Sequence, residues 1–160
     1  MSGLPDVLDN NLNVIFCGTG AGKRSGEIGQ YYAGKGNLFW QTLYDIKLTP
    51  RKLDPSEFEE IKNYGVGLTD MTKVKPGPDS GRKKQDYDRE RFEQVIIELK
   101  PKCIAFNGKK AAELAFENKV AYGKTTLHGI PAFILPSTSA MARSYWDINY
   151  WKELADFLKK

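Results

Sequence analysis

The sequence predicts a single α/β domain over residues 1–160, with three α/β/α layers around a central, mainly parallel four-stranded sheet. Two observations support this prediction. Short apolar runs alternate with segments of helical spacing, which is typical of a parallel sheet covered on both faces. The length of 160 residues fits one domain, and 41% hydrophobic with 28% charged residues indicates a globular chain rather than a disordered one.

Four apolar runs are the predicted strands, and each is followed by a residue that breaks the run. The strands are predicted at residues 12–17, 66–69, 103–106 and 132–135, followed by Gly18, Asp70, Asn107 and Pro136. Helical spacing and end signals predict helices over residues 37–44, from residue 53 onward, and over 87–100, 109–116 and 151–159. The glycine-rich stretch 18–36 and the Lys-, Gly- and Pro-rich stretch 73–86 are predicted loops, the second of them mobile.

Composition excludes several kinds of site. Cys17 and Cys103 are the only cysteines, so this chain alone cannot build a four-cysteine zinc or iron–sulfur site, and we expect both thiols to be reduced and buried. A single histidine, His128, removes most histidine-based metal and triad chemistry. We therefore expect no metal and no cofactor. The net charge of +4 favours polyanionic partners only mildly.

The chain shows no sign of a membrane segment. Apolar runs such as Val14–Cys17 are too short to span a bilayer. The first 13 residues carry Asp6 and Asp9 and lack the basic region of a secretory signal. We expect a cytoplasmic protein with no membrane partner.

Four loops are expected to form the functional site. In open parallel sheets, ligands bind outside the carboxyl ends of the strands, where the chain leaves for the next helix. This rule brings together residues 18–37, 70–75, 107–110 and 136–143, since each range follows a predicted strand.

The glycine-rich loop Gly18–Gly22 fits neither of two common nucleotide-binding motifs. A Walker A loop requires glycine where Cys17 stands and Ser or Thr where Arg24 stands. A dinucleotide fingerprint requires its third glycine one residue later and a helix directly after it. A nucleotide-binding domain is therefore disfavoured, and affinity for ATP or GTP would be its test. What remains is a loop whose backbone amides can approach a ligand closely, or else a flexible turn.

Two further loops carry candidate ligand contacts. Adjacent aromatic residues at Tyr31 and Tyr32 could direct one ring into the core and the other towards a flat ligand, for which Tyr32 is the better candidate, although both could simply be core. The segment Pro136–Arg143 places three hydroxyls before Met141. Hydroxyls suit phosphate binding, and an apolar side chain at a loop tip can enter a base stack. Ordinary helix capping explains the same pattern.

Five ordered segments together resemble the mismatch-specific uracil/thymine DNA glycosylases of the uracil-DNA glycosylase superfamily, over about residues 13–143. The segments are residues 16–18, 32–40, 64–70, 100–109 and 135–140. The resemblance implies a DNA repair enzyme that flips a deaminated or damaged pyrimidine out of DNA and hydrolyses its N-glycosidic bond without a metal. Its partner would be damaged or mismatched DNA, duplex or single-stranded. A monomer associated with the nucleoid in a bacterial-type cytoplasm is expected.

The resemblance also implies roles for single residues. Tyr32 would stack on the flipped base, and the other base contacts would come from Gly18, Thr19, Gly20 and Asn37. Ala140 and Met141 would fill the vacated stack, beside Arg143. The remaining DNA contacts, mostly to phosphates, would come from Lys23, Asn107, Gly108, Lys109, Ser137, Thr138 and Ser139.

The chain departs from the family at the usual catalytic position. The family motif Gly-Ile-Asn-Pro-Gly corresponds to Gly18–Gly22, and its asparagine, which places the attacking water, is replaced by Gly20. Asp70 is the candidate replacement, because a carboxylate can accept a proton from water and stabilise positive charge on the sugar. Alternatively, Asp70 only caps the turn that follows it, and the protein is a catalytically silent lesion-binding or DNA-binding module. No lysine nucleophile is apparent at the site, so we expect a monofunctional enzyme that leaves an abasic site without cutting the strand.

Overall fold

The computed structural model describes residues 3–73, 77, 83 and 86–160. Within them lies a five-stranded sheet whose spatial order is β2-β1-β3-β5-β4. The strands are β1 (Val14–Gly18), β2 (Val66–Asp70), β3 (Cys103–Asn107), β4 (Gly123–Leu127) and β5 (Ile130–Leu135). Strands β2, β1, β3 and β5 run parallel to one another, and β4 runs antiparallel to β5.

The predicted α/β class is confirmed, but the predicted number of four strands is wrong. Strand β4 is not among the predicted strands, and its Lys124, Thr125 and Thr126 are exposed and polar. A β-hairpin holds this edge strand on β5. Its two turn residues, His128 and Gly129, have φ of 51° and 78°, which is the conformation of a two-residue type I′ turn. Pairing with β5, rather than apolar content, therefore makes this segment a strand.

Helices cover both faces of the sheet. They are α1 (Lys23–Ile28), α2 (Phe39–Asp45), α3 (Arg89–Leu99), α4 (Lys109–Phe116) and α5 (Ile148–Leu158), together with 3₁₀ helices at Pro55–Tyr64 and Ala140–Tyr145. The prediction of an irregular stretch over residues 18–36 is wrong where α1 lies. That helix is short, contains a glycine and lacks an apolar stripe, so spacing could not reveal it. Most of the predicted loop 73–86 lies outside the described residues.

Two apolar cores lie on opposite faces of the sheet because side chains alternate along each strand. Phe16 faces the first core, where its ring is 5.3 Å from that of Phe39 and 5.6 Å from that of Trp151. Its neighbour Cys17 faces the second core, against α3 and α4. The predicted three-layer arrangement follows from these two cores.

The segment before β1 lies along the outer edge of β2. Val7 and Leu68 exchange two backbone hydrogen bonds, of 2.9 and 2.8 Å, in an antiparallel bridge. The backbone amide of Gly3 donates to the carbonyl of Lys73. This packing places residues 3–7 along β2 and beside its carboxyl end. No helix in the described ranges is both long and apolar enough to cross a bilayer.

Candidate active site

The parallel register of β1 and β2 places Gly18 beside Asp70 at the carboxyl edge of the sheet. Asp70 is buried, with 3% of its surface exposed. A β-carbon placed on Gly18 would lie 2.9 Å from Asp70 Oδ1 and 3.1 Å from the hydroxyl oxygen of Tyr32. Three candidates predicted on separate segments are therefore neighbours, and the absence of a side chain at Gly18 allows the close approach.

Tyr32 reaches this position through an unusual backbone conformation. Its φ is 51°, in the left-handed region that residues other than glycine rarely adopt. Its half-buried ring lies against Phe39, with the ring centroids 4.1 Å apart. Burial raises the pKa of Tyr32, and the Asp70 carboxylate raises it further, while the Asn107 side chain opposes the shift. Tyr32 therefore presents a neutral phenol to the site.

Asp70 belongs to a cluster of charged side chains that no pattern in the sequence predicted. Lys73 Nζ lies 3.2 Å from Asp70 Oδ2, 2.9 Å from Asp6 Oδ1 and 2.8 Å from the hydroxyl oxygen of Tyr31. Arg91 Nη1 lies 2.8 Å from Asp6 Oδ2, and Arg91 Nη2 donates to the backbone carbonyl of Asp70. A lysine therefore lies at the site as part of an ion-pair cluster, and the expected lack of a lysine nucleophile stays a prediction. The one weak signal in the sequence was the position of Lys73 within residues 70–75, the loop that follows the second predicted strand.

Two buried groups near Asp70, the Cys17 thiol and the Tyr31 hydroxyl, are neutral. Burial raises the pKa of the Cys17 thiol, and the nearby Asp70 carboxylate adds to the shift. Burial likewise raises the pKa of Tyr31, whose hydroxyl donates to the carbonyl of Pro5 at 2.9 Å. The charges of the cluster therefore lie on Asp6, Asp70, Lys73 and Arg91.

Asn107 and Thr138, both predicted to bind DNA phosphates, are buried and bonded to one another. Asn107 Nδ2 donates to Thr138 Oγ1 at 3.0 Å, and the backbone amide of Thr138 donates to Asn107 Oδ1 at 3.0 Å. Only 8% of Asn107 and 1% of Thr138 is exposed. Their side chains thus join β3 to the loop after β5, and a phosphate contact from either would require this pair to open.

The loop after β5 contains serine side chains that bond nearby backbone amides and one exposed methionine. Ser139 Oγ accepts from the amide of Met141 at 3.2 Å, so Ser139 caps the 3₁₀ helix Ala140–Tyr145, and the backbone amide of Ser139 donates to Ser137 Oγ at 3.1 Å in a local turn before it. Met141 stands out from the surface with 90% exposure. Such exposure of a large apolar side chain fits a residue that enters a base stack.

The same loop is joined to the glycine-rich loop. Arg143 Nη2 donates to the carbonyl of Gly36 at 2.5 Å, and the amide of Leu38 donates to the carbonyl of Thr138 at 3.0 Å. A β-carbon on Gly36 would lie 3.3 Å from that of Ala140. The loops after β1 and β5 therefore form one connected rim.

The remaining predicted residues lie at or near this rim. Thr19 and Gly20 are half-buried, and the carbonyl of Thr19 accepts from the amide of Thr72 at 2.9 Å. Asn37 Oδ1 accepts from the amide of Phe39 at 3.0 Å, from the position before Leu38, which is the N-cap residue of α2. Gly108 precedes α4, and the exposed Lys109 and Lys23 are the first residues of α4 and α1. Among the described residues, no three metal-ligating side chains come together.

Comparison with known proteins decides the family. A profile described as the uracil DNA glycosylase superfamily matches residues 5–159, almost the whole chain. The chain belongs to the uracil DNA glycosylase superfamily. Membership indicates a DNA glycosylase, a hydrolase of DNA repair whose partner is DNA.

The fold of this superfamily member is also found in a solved structure. A Methanosarcina acetivorans protein, provisionally assigned as a uracil DNA glycosylase and solved by solution NMR, matches with a TM-score of 0.67 and 21% sequence identity. The match covers 99% of this chain and 98% of the other. At this identity the likeness supports the α/β fold.

Proposed function

We propose that the protein is a monofunctional DNA glycosylase of the mismatch-specific uracil/thymine type. It flips a uracil-type base, deaminated or damaged, out of DNA and hydrolyses its N-glycosidic bond with water activated by Asp70. The observation that carries this proposal is the buried Asp70 carboxylate, which lies beside Gly18 and near Tyr32 at the strand ends. The chain has a carboxylate in this site, whereas Gly20 offers no side chain at the usual asparagine position.

The proposed chemistry requires Asp70 to be ionised. Lys73 Nζ, at 3.2 Å, favours the charged form of the carboxylate. As the base departs with the bonding electrons, the carboxylate stabilises the positive charge that develops on the sugar. Water then bonds to the sugar C1′ and gives its proton to Asp70. The proton is passed on to the departed base or to solvent, which restores the carboxylate.

DNA contacts in this proposal come from the rim around Asp70. Tyr32 offers the base the face of its ring turned away from Phe39, and backbone atoms of Gly18, Thr19 and Gly20 contact the base edge. Met141 fills the gap left in the stack. The exposed side chains of Lys23, Lys109 and Arg143 supply positive charge for the DNA backbone.

The proposed enzyme leaves the DNA strand uncut even though Lys73 lies at the site. Strand cleavage by a lysine requires a free amine that attacks the sugar C1′. Lys73 Nζ faces three oxygen acceptors, two of them on carboxylates, which matches the three N–H donors of an ammonium. Borohydride should therefore trap no covalent adduct between protein and DNA.

Replacement of Asp70 tests the proposal. Asp70→Asn and Asp70→Ala should slow single-turnover release of uracil by about 10²-fold or more, the usual scale for loss of a positioned base. The assay uses U·G, U·A and single-stranded uracil DNA, with Asp156→Asn as a control, since that exposed carboxylate lies on α5. Release at the parental rate by both Asp70 variants would rule out this role.

A second candidate function is favoured by one observation, the missing side chain at Gly20. A lesion-binding module that has lost catalysis would bind uracil-containing DNA and release no base in any of the three substrates. The same assay, combined with a binding measurement on the parent protein, separates the two functions.

A further inference from the structure

We propose that Asp6, which precedes the first strand, is a positioning residue of the active site: through Lys73 and Arg91 it orients the Asp70 carboxylate and sets how readily that carboxylate takes a proton. The inference rests on the proposed role of Asp70. It extends the site to the N-terminal segment, which carries none of the residues assigned to base or DNA binding.

Both carboxylate oxygens of Asp6 are engaged at the edge of β2. Oδ1 lies 2.9 Å from Lys73 Nζ and accepts from Thr69 Oγ1 at 2.8 Å. Oδ2 lies 2.8 Å from Arg91 Nη1. The backbone bridge between Val7 and Leu68 fixes the segment directly beyond Asp6. The contacts of both carboxylate oxygens and the backbone bridge at Val7 therefore fix the position of Asp6 at the edge of β2.

Lys73 links Asp6 to Asp70 directly. One ammonium lies between the two carboxylates, 2.9 Å from Asp6 and 3.2 Å from Asp70. Its third acceptor, the hydroxyl oxygen of Tyr31, is a neutral phenol because burial raises the pKa of Tyr31. The side chain of Lys73 is only 21% exposed, so solvent weakens these interactions less than on an open surface.

Arg91 makes the second link, from α3. One nitrogen of its guanidinium bonds the Asp6 carboxylate, and the other bonds the backbone carbonyl of Asp70. Because the guanidinium is planar and rigid, the distance between the two bonded groups is fixed. Arg91 thereby places the carboxyl end of β2 relative to the N-terminal segment.

Asp6 and Lys73 carry opposite charges, so their removal has opposite effects on the Asp70 carboxylate. Asp6 and Asp70 carry two negative charges, and Lys73 and Arg91 carry two positive charges. Removal of the Asp6 charge leaves two cations near one carboxylate, which weakens its hold on a proton; removal of the Lys73 charge does the reverse. Among the residues that the structure describes, Cys17, Tyr31 and Tyr32 also lie within the influence of the Asp70 charge, and burial keeps all three neutral by raising the pKa of each.

The experiment compares Asp6→Asn with Lys73→Met, both of which preserve side-chain shape. One readout is the pH dependence of single-turnover base release, and the other is the titration of the Asp70 carboxyl carbon by ¹³C NMR, assigned with Asp70→Asn. Asp6→Asn should move the acid limb and the carboxyl midpoint to lower pH by about 1 unit, and Lys73→Met should move both to higher pH by about 1 unit. Lys73→Gln replaces Lys73→Met if the latter does not fold.

Glu117→Gln is the matched control, since Glu117 forms an exposed ion pair with Arg89 away from the site. A cluster that only anchors the N-terminal segment would leave both midpoints unmoved, or move them in the same direction, and either result overturns the inference. Asp70→Asn separates the two proposals. Full base release by this variant overturns the proposed function, and the NMR midpoints then decide alone whether Asp6 and Lys73 control the carboxylate.

Discussion

At the scale of single residues, the contact between Gly18 and Asp70 limits what the site tolerates. A β-carbon on Gly18 would come within 2.9 Å of Asp70 Oδ1, closer than a real methyl group can lie. Lys73 holds the other oxygen of that carboxylate. A methyl group at residue 18 would therefore displace the carboxylate rather than the sheet.

Gly18→Ala should slow base release by about 10²-fold, the scale expected for a displacement of about 1 Å at a reacting group. The free energy of unfolding, measured with urea, should change much less than the activation free energy of base release, because the clash is with the end of a side chain. Gly22→Ala is the control, because nothing lies within 4 Å of a β-carbon there. Parental activity in Gly18→Ala would show that this contact does not position Asp70.

Tyr32 combines two features, a ring and a buried hydroxyl, which substitutions can separate. Tyr32→Ala removes the proposed stacking surface and should weaken affinity for lesion DNA by about 1–3 kcal/mol, the usual contribution of one base stacked on an aromatic ring. Tyr32→Phe keeps the ring and should bind close to the parent. Equal losses in the two variants, measured by fluorescence anisotropy, would assign the effect to the hydroxyl.

Residue patterns could indicate Gly18, Tyr32 and Asp70, because each of them follows a strand or stands in a glycine-rich loop. They could not indicate Asp6 or Arg91. These two residues are 85 positions apart in the chain, and Asp6 meets Thr69 across 63 positions. Ion pairs over such separations leave no local spacing to detect, so the supporting half of the site appears only in the folded chain.

At the scale of elements, the pair Asn107 and Thr138 joins the end of β3 to the loop after β5. Two buried hydrogen bonds of 3.0 Å make this joint. The loop carries Met141, so the joint also determines where that exposed side chain stands. The predicted phosphate contacts of Asn107 and Thr138 stay predictions, and the structure adds a role in loop placement.

Asn107→Ala should lower the free energy of unfolding by about 1–3 kcal/mol, because it leaves the buried amide of Thr138 without its acceptor. Urea denaturation measures the loss. Asn118→Ala is the control, since Asn118 is exposed and accepts only from the next residue among the contacts described. A loss below about 0.5 kcal/mol, the range of an ordinary surface substitution, would mean that solvent or a rearranged loop replaces the joint.

At the scale of the whole molecule, the two cores bury several groups that titrate at alkaline pH. Burial raises the pKa of Cys17 above its ordinary value of 9.0 and of Tyr31 and Tyr32 above 10.0, and it raises the pKa of Cys103 to about 12. The folded state therefore keeps protons that the unfolded chain loses. The stabilisation is complete below the unfolded pKa and is lost as pH rises towards the folded pKa.

The free energy of unfolding should accordingly fall above about pH 9, by about 1.4 kcal/mol per pH unit for each group that titrates in the unfolded state alone. Urea unfolding between pH 7.5 and 10.5 measures this slope. Cys17→Ala removes one such group and should make the slope of unfolding free energy against pH shallower. A change of stability at pH 7.5 would shift the whole curve and leave this comparison of slopes unaffected. A slope equal to that of the parent would show that Cys17 does not contribute.

The amino-acid sequence by itself determined the α/β class, four of the five strands and the loops that meet at the site. Apolar runs, glycines and the residues that end strands are features of short segments. The rule that ligands bind at the carboxyl ends of parallel strands then predicts that the loops after these strands meet at one edge of the sheet. Only the tertiary structure decided that β4 is a strand, that Asn107 bonds Thr138, and that Asp6, Lys73 and Arg91 surround Asp70. Those features depend on partners that the chain brings together only by folding, through sheet pairing and through partly buried charges placed side by side.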